Sequence, residues 1–136
     1  APDLVVVYLE MVHDVRVIPL DGRRRLTPRI RQWRGDARGW WESDTLIVET
    51  TNFSAASTFF GKGPSLRLIE RFTRLSEDKL HYEFTVDAPA SFVAPWTAVL
   101  PMQPTAGGIF EYACHEGNRG MENLLIAARL AERDAP

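Results

Sequence analysis

An all-β fold is predicted: a small antiparallel β-barrel of about eight short strands, lipocalin-like or related, with a C-terminal amphipathic helix; a two-sheet β-sandwich is the alternative. Three observations predict it. Period-2 alternation of apolar and polar residues runs through most of the chain, turn-forming residues punctuate it at short intervals, and helical periodicity shows clearly only near the C-terminus. With 136 residues, 45% of them apolar and 10% aromatic, the chain is long enough for one hydrophobic core and too short for two ordinary domains, so residues 1–136 read as a single domain.

The first apolar run, LVVVYL from Leu4 to Leu9, is interrupted at VHD and resumes as VRVIPL before the turn pair Asp21-Gly22, which predicts two strands joined near His13 and Asp14. Thr27-Pro28 has N-cap and N1 chemistry, so PRIRQW is expected to form one or two helical turns before Gly35. GWWESDTLIVETTNF reads as a hairpin around Glu42-Ser43-Asp44, its second strand rich in β-branched residues. After a loop at FFGKGPS, LRLIERFTRL and KLHYEFTVDA flank SED as a second hairpin, with Tyr82, Phe84 and Val86 on one face and His81, Glu83, Thr85 and Asp87 on the other. WTAVLPM and GIFEYACHE supply two more strands across the turn-rich QPTAGG. Met121, Leu124, Leu125 and Ala128 then fall at helical spacing, and this closing helix is expected to pack on the sheet.

Composition narrows function. A net charge of −2 and a pI near 5.9 leave no overall field to hold nucleic acid or an anionic membrane. The longest apolar run is strand-sized, well short of the ~20 residues of a membrane helix, so no membrane association is expected. No signal peptide is seen, and a start at Ala1 rather than Met reads as a processed or trimmed product. The single cysteine, Cys114, makes neither an internal disulfide nor a CxxC redox pair.

The densest chemistry lies in EYACHEGN. On a strand, Glu111 and His115 share a face, and a carboxylate beside an imidazole is a workable general acid/base pair because the carboxylate orients the ring and raises its pKa. Glu10 and His13 repeat the pairing at the first turn. If the barrel closes, the first and last strands become neighbours, and His13 and His115 with Glu10 or Glu116 could converge as an N/N/O set suited to zinc or another divalent transition metal, although no HxH or HExxH spacing supports it. Cys114 and His115, adjacent on a strand, point to opposite faces and cannot act as a nucleophile–base pair. No GxSxG elbow, P-loop or dinucleotide fingerprint appears.

Glu70, Arg71 and Glu83 lie on adjacent expected strands, where an Arg–carboxylate network in the interior could form; the plain alternative is a surface cross-strand pair worth ~0.2–1 kcal/mol. The substrate-binding candidates are Arg16, Arg71, Glu83, Trp41 and Trp96, with Arg16 and Arg71 as the anion-binding groups. Seven arginines between Arg23 and Arg38, near Trp33, Trp40 and Trp41, could contact nucleic acid or sugars, but intervening acidic residues favour a solvated loop with its tryptophans packed on the barrel.

The strings EMVHDVRVIPLDGR, GDARGWWESDTLIVETTNF, ERFTR, YEFTVDAP, PWTAVLPM and YACHEGN together resemble a large group of uncharacterised bacterial proteins, common in acidobacterial genomes and often exported. The resemblance spans nearly the whole chain. It implies a periplasmic or secreted protein and brings no catalytic residues with it. Relatives with a longer N-terminus carry a cysteine-containing segment; if that segment supplies a partner for Cys114, the cysteine is structural.

The expected function is therefore small-molecule binding, with cofactor-independent acid/base chemistry of the lyase, isomerase or hydrolase kind on a small polar organic substrate, through Glu10, His13, Glu111, His115 and Glu116. A metal-dependent enzyme using His13 and His115 and a non-catalytic binding module are the alternatives. No cofactor is otherwise expected, nucleic acid is not favoured as a partner, and a homodimer is left open.

Overall fold

The structure is a computed structural model that describes residues 3–57, 63–110, 112 and 116–133. Five strands, β3 (Asp36–Glu42), β4 (Thr45–Thr51), β5 (Arg67–Ser76), β6 (Lys79–Asp87) and β7 (Trp96–Met102), pair antiparallel in chain order. Their register follows from alternation. Leu46, Val48 and Thr50 of β4 lie opposite Phe72, Glu70 and Leu68 of β5, which lie opposite Tyr82, Phe84 and Val86 of β6. These rows form one inner face, extended by Ala37 and Gly39 on β3 and by Trp96 and Ala98 on β7. The other face carries Arg71, Glu83, Thr85 and Thr97, whose polar groups suit water.

The N-terminal strands β1 (Leu4–Leu9) and β2 (Asp14–Pro19) make a separate two-stranded antiparallel sheet. A 3-10 turn at Met11–His13 joins them, with Val12 in the left-handed region at φ 56°, a conformation that β-branched residues rarely adopt. Inward-facing Val5, Val7 and Ile18 pack with Leu46 and Val48, while Leu20 and Ala37 complete that cluster. The approach is close. A Cβ on Gly39 would stand 2.7 Å from Leu20 Cδ2 and 2.9 Å from Ile18 Cγ2, so any side chain here would have to displace these two residues for the hairpin to settle on β3. Leu4, Val6, Tyr8, Val15 and Val17 form the hairpin's opposite, exposed face.

A second apolar cluster joins Phe53, Leu66, Leu68, Phe84, Val86 and Ala88, with Tyr82, Trp96 and Ala98 against it. Glu70 sits in the inner face between the two clusters.

The all-β class with a C-terminal helix is as predicted, as are the hairpins. The described strands form two sheets rather than one closed ladder, an arrangement that fits the two-sheet alternative. Three finer expectations change. PRIRQW forms no helix: Ile30 N donates to Thr27 O in a turn, and Gln32 N is then taken by Asn52 O, pulling the segment into a short parallel bridge with Phe53. Gly108–Phe110 and Tyr112 carry no strand, and Glu111 and residues 113–115 lie outside the described residues. The helix α1 (Gly120–Arg133) buries none of its side chains, so the expected packing of this helix on the sheet is not seen. Among the described residues no helix is long and apolar enough to cross a membrane.

Candidate functional site

Where β1–β2 leans over β4–β6, a cleft of about 770 Å³ opens between the hairpin turn and the sheet. Its walls are mainly apolar, contributed by Leu9, Met11, Val12, Trp33, Phe53 and Leu68, and its polar groups are concentrated at Arg16, Thr50, Ser57, Glu70 and Tyr82. Volume and composition are those of a small-ligand site.

The polar floor is built from three strands. Arg16 on β2 donates from both terminal nitrogens to Glu70 on β5, Nη1 to Oε1 at 2.9 Å and Nη2 to Oε2 at 2.5 Å. Tyr82 on β6 donates its hydroxyl to the same Oε1 at 2.9 Å. Glu70 is only 1% exposed and the Arg16 side chain 17%, so the pair is largely out of water and holds together through its bidentate geometry. Burial works against the Arg16 charge, yet the Glu70 carboxylate outweighs it and holds the guanidinium above its usual range. Burial, then the adjacent carboxylate, pushes the Tyr82 phenol up as well.

Thr50, on β4 opposite Leu68, is 1% exposed, and its Oγ1 has no hydrogen-bond partner among the described residues. Its methyl packs where a Cβ on Gly35 would come within 2.6 Å, and Gly35 itself needs φ +73°, so this wall is fixed on both counts. Arg34 at the rim meets Asp14, Nε to Oδ2 at 2.5 Å. Glu10 lines the exposed mouth.

Of the residues singled out from the sequence, Arg16 and Glu10 meet at this cleft. His13 is exposed on the turn, its ring Nδ1 2.8 Å from the Tyr8 hydroxyl, and does not line the cleft. Arg71 and Glu83 stand opposite each other in register on the far face, with Arg71 reaching Glu42 at 3.2 Å. The buried Arg–carboxylate network thus exists, but it uses Arg16 and Glu70 in place of Arg71. Trp41 is exposed over a shallow depression with Ser43, Asp44 and Arg74, whereas Trp96 packs edge-on against Phe84 and Phe92 in the core. Glu116 is exposed in the turn before α1, and Glu111 and His115 lie outside the described residues. Among the described residues no group of three His, Cys, Asp or Glu side chains is placed to hold a metal.

The arginine-rich loop is solvent-exposed over most of residues 21–34, as expected, but two arginines anchor it. Arg25 donates to the carbonyls of Asp36 and Glu49, to Thr51 Oγ1 and to the Glu49 carboxylate; Arg38 donates to the carbonyls of Arg23, Arg24 and Ala37 and to Asp36 Oδ1. These side chains fasten the loop to the sheet edge. Trp33 is 63% exposed at the cleft mouth, not packed on the sheet as expected.

Sequence reasoning missed Thr50 altogether and took Glu70 only as part of a possible network. Glu70 did leave a signal, a carboxylate on the apolar phase between Leu68 and Phe72. No protein-family model, curated protein or solved structure matches the chain.

Proposed function

We propose that this domain binds a small organic molecule in the cleft between the β1–β2 hairpin and the inner face of the main sheet. The observation that carries the reading is the apolar-walled cleft of about 770 Å³ whose lining includes the hydrogen-bonded group Arg16, Glu70 and Tyr82. Binding needs only this lining. Acid/base turnover needs a titrating group at the bound molecule, and Glu10 at the mouth is the carboxylate of the lining with no ion pair among the described residues. Binding is therefore the primary reading, and turnover with Glu10 as general base or acid is a refinement of it. The motif resemblance supports a periplasmic or secreted setting, where small-molecule capture is a common task for β-rich domains.

The test uses N-phenyl-1-naphthylamine, a neutral dye that brightens in apolar sites. Saturable binding at one dye per chain is expected, weakened by Met11→Trp, which fills the mouth, and unchanged by Val17→Thr on the exposed face of the hairpin. Binding that follows Val17→Thr and ignores Met11→Trp would mean adsorption to the hairpin's outer face and would end the proposal.

A further inference from the structure

Resting on that reading, we infer that the cleft selects an organic ammonium, its apolar body held between the hairpin and the sheet and its charge at the mouth with Glu10 and Trp33. Charge balance is the first support. Arg16 and Glu70 match each other through two hydrogen bonds, and Arg34 at the rim is matched by Asp14. Glu10 is the charge of the lining left over, with no ion pair among the described residues. A carboxylate ligand would meet two guanidiniums already neutralised and a free carboxylate at the entrance; an ammonium meets the one charge that lacks a counter-ion.

Chain geometry supplies the second. Leu9 stands opposite Asp14 in the β1–β2 ladder and Glu10 follows it; Arg34 reaches Asp14 and Trp33 precedes it. One ion pair therefore brings residues 10 and 33 to the same end of the cleft, which both line. An exposed carboxylate alone is a weak partner for a cation, but the Trp33 indole is mostly exposed there, and an indole face attracts cations through its quadrupole. The interior sets the orientation. Both Glu70 oxygens already accept from Arg16, and Oε1 from Tyr82 as well, while Leu9, Met11, Phe53 and Leu68 offer only apolar contact. An ammonium carried inward would compete with Arg16 and lose its water; at the mouth it keeps part of its hydration while the apolar body is buried.

The experiment is titration calorimetry with three ligands of one shape, 2-naphthylmethylammonium, 2-naphthylmethanol and 2-naphthoate, on the intact chain and on three variants. On the intact chain the ammonium is expected to bind about fivefold more tightly than the alcohol, and the carboxylate most weakly. Glu10→Gln should bring the ammonium down to the alcohol while leaving the alcohol unchanged, and Trp33→Leu should cut the ammonium's advantage about threefold. Glu77→Gln, an equal change of net charge in the exposed β5–β6 turn, should leave all three affinities as they are. Alcohol binding as tight as ammonium binding, a preferred carboxylate, or a preference that survives Glu10→Gln overturns the inference and leaves the cleft as a binding site. So does a preference lost equally in Glu77→Gln, which would trace it to net charge. Equal losses for ammonium and alcohol in Trp33→Leu would make the ring an apolar wall and overturn its part in the cation site. If none of the three binds the intact chain, the reading of the cleft as a ligand site fails with it.

Discussion

Arg16 and Glu70 are 54 residues apart in the chain and meet through two parallel hydrogen bonds, at 2.9 and 2.5 Å, between a two-stranded hairpin and a five-stranded sheet. This pair is the polar link of an otherwise apolar contact made by Val5, Val7, Ile18, Leu46 and Val48. It both fastens the hairpin and forms the cleft floor, so its energetics can be separated from its binding role by mutation.

Glu70→Leu and Arg16→Met are each expected to destabilise the fold by about 3 kcal/mol, since either leaves a mostly buried charge without its partner. The double change Arg16→Met with Glu70→Leu should cost clearly less than the sum, because an apolar pair of similar volume needs no counter-charge. Urea unfolding of the four proteins gives the coupling directly. Additive losses would show that the two side chains act independently.

Stability should fall at both ends of the pH scale for identifiable reasons. Partial burial alone would raise Glu49, but Arg67 and Arg25 outweigh it and hold the carboxyl below its ordinary 4.5. Its contribution is complete above 4.5 and disappears as pH drops through the lower folded value. Tyr82 behaves oppositely. Its phenol lies above the ordinary 10.0, so the stability it lends is complete below 10.0 and is lost as pH climbs toward the folded value. Denaturation midpoints measured across pH should show a shallower acid limb in Glu49→Gln and a shallower alkaline limb in Tyr82→Phe. The latter should also lose roughly 1.5–3 kcal/mol near neutral pH, for a hydrogen bond to a charged acceptor.

Val12 holds φ 56° at the cleft mouth and is mostly exposed, so its side chain contributes little packing to offset the left-handed backbone. Val12→Gly is expected to raise stability by up to about 1 kcal/mol, after the entropy that glycine adds to the unfolded chain. A lower thermal midpoint in that variant would show that the valine side chain holds the turn by contacts that outweigh the strain.

Much of this architecture was legible because it is local. Alternation placed Tyr82, Phe84 and Val86 on one face and His81, Glu83 and Thr85 on the other, and the register has them so. Arg71 and Glu83 were read as cross-strand neighbours and are. Nothing local, however, says that Arg16 turns to Glu70: their meeting depends on how the hairpin docks, which a period-2 pattern does not encode. Thr50 was invisible for a different reason, since threonine is an ordinary strand residue and only the closed wall around it leaves its hydroxyl unpaired. The loop is exposed as expected, but the anchoring by Arg25 and Arg38 is not legible, because carbonyl acceptors, unlike carboxylates, leave no mark in a sequence. The C-terminal helix shows the reverse case: Met121, Leu124 and Leu125 keep helical spacing and form a helix, but spacing does not guarantee a surface to cover.

The separation of Arg16 from Glu70 also governs the hairpin during synthesis. At ~5–20 residues per second, the ribosome releases β2 several seconds before the strand that will accept it. Until β3 and β4 follow, Val5, Val7 and Ile18 on one face, and Val6, Tyr8 and Val17 on the other, are open to solvent together. A nascent ribbon apolar on both sides, with two free edges, is a natural target for chaperone capture; Leu46 and Val48 of β4 cover its inner face first, and Glu70 adds the polar link later.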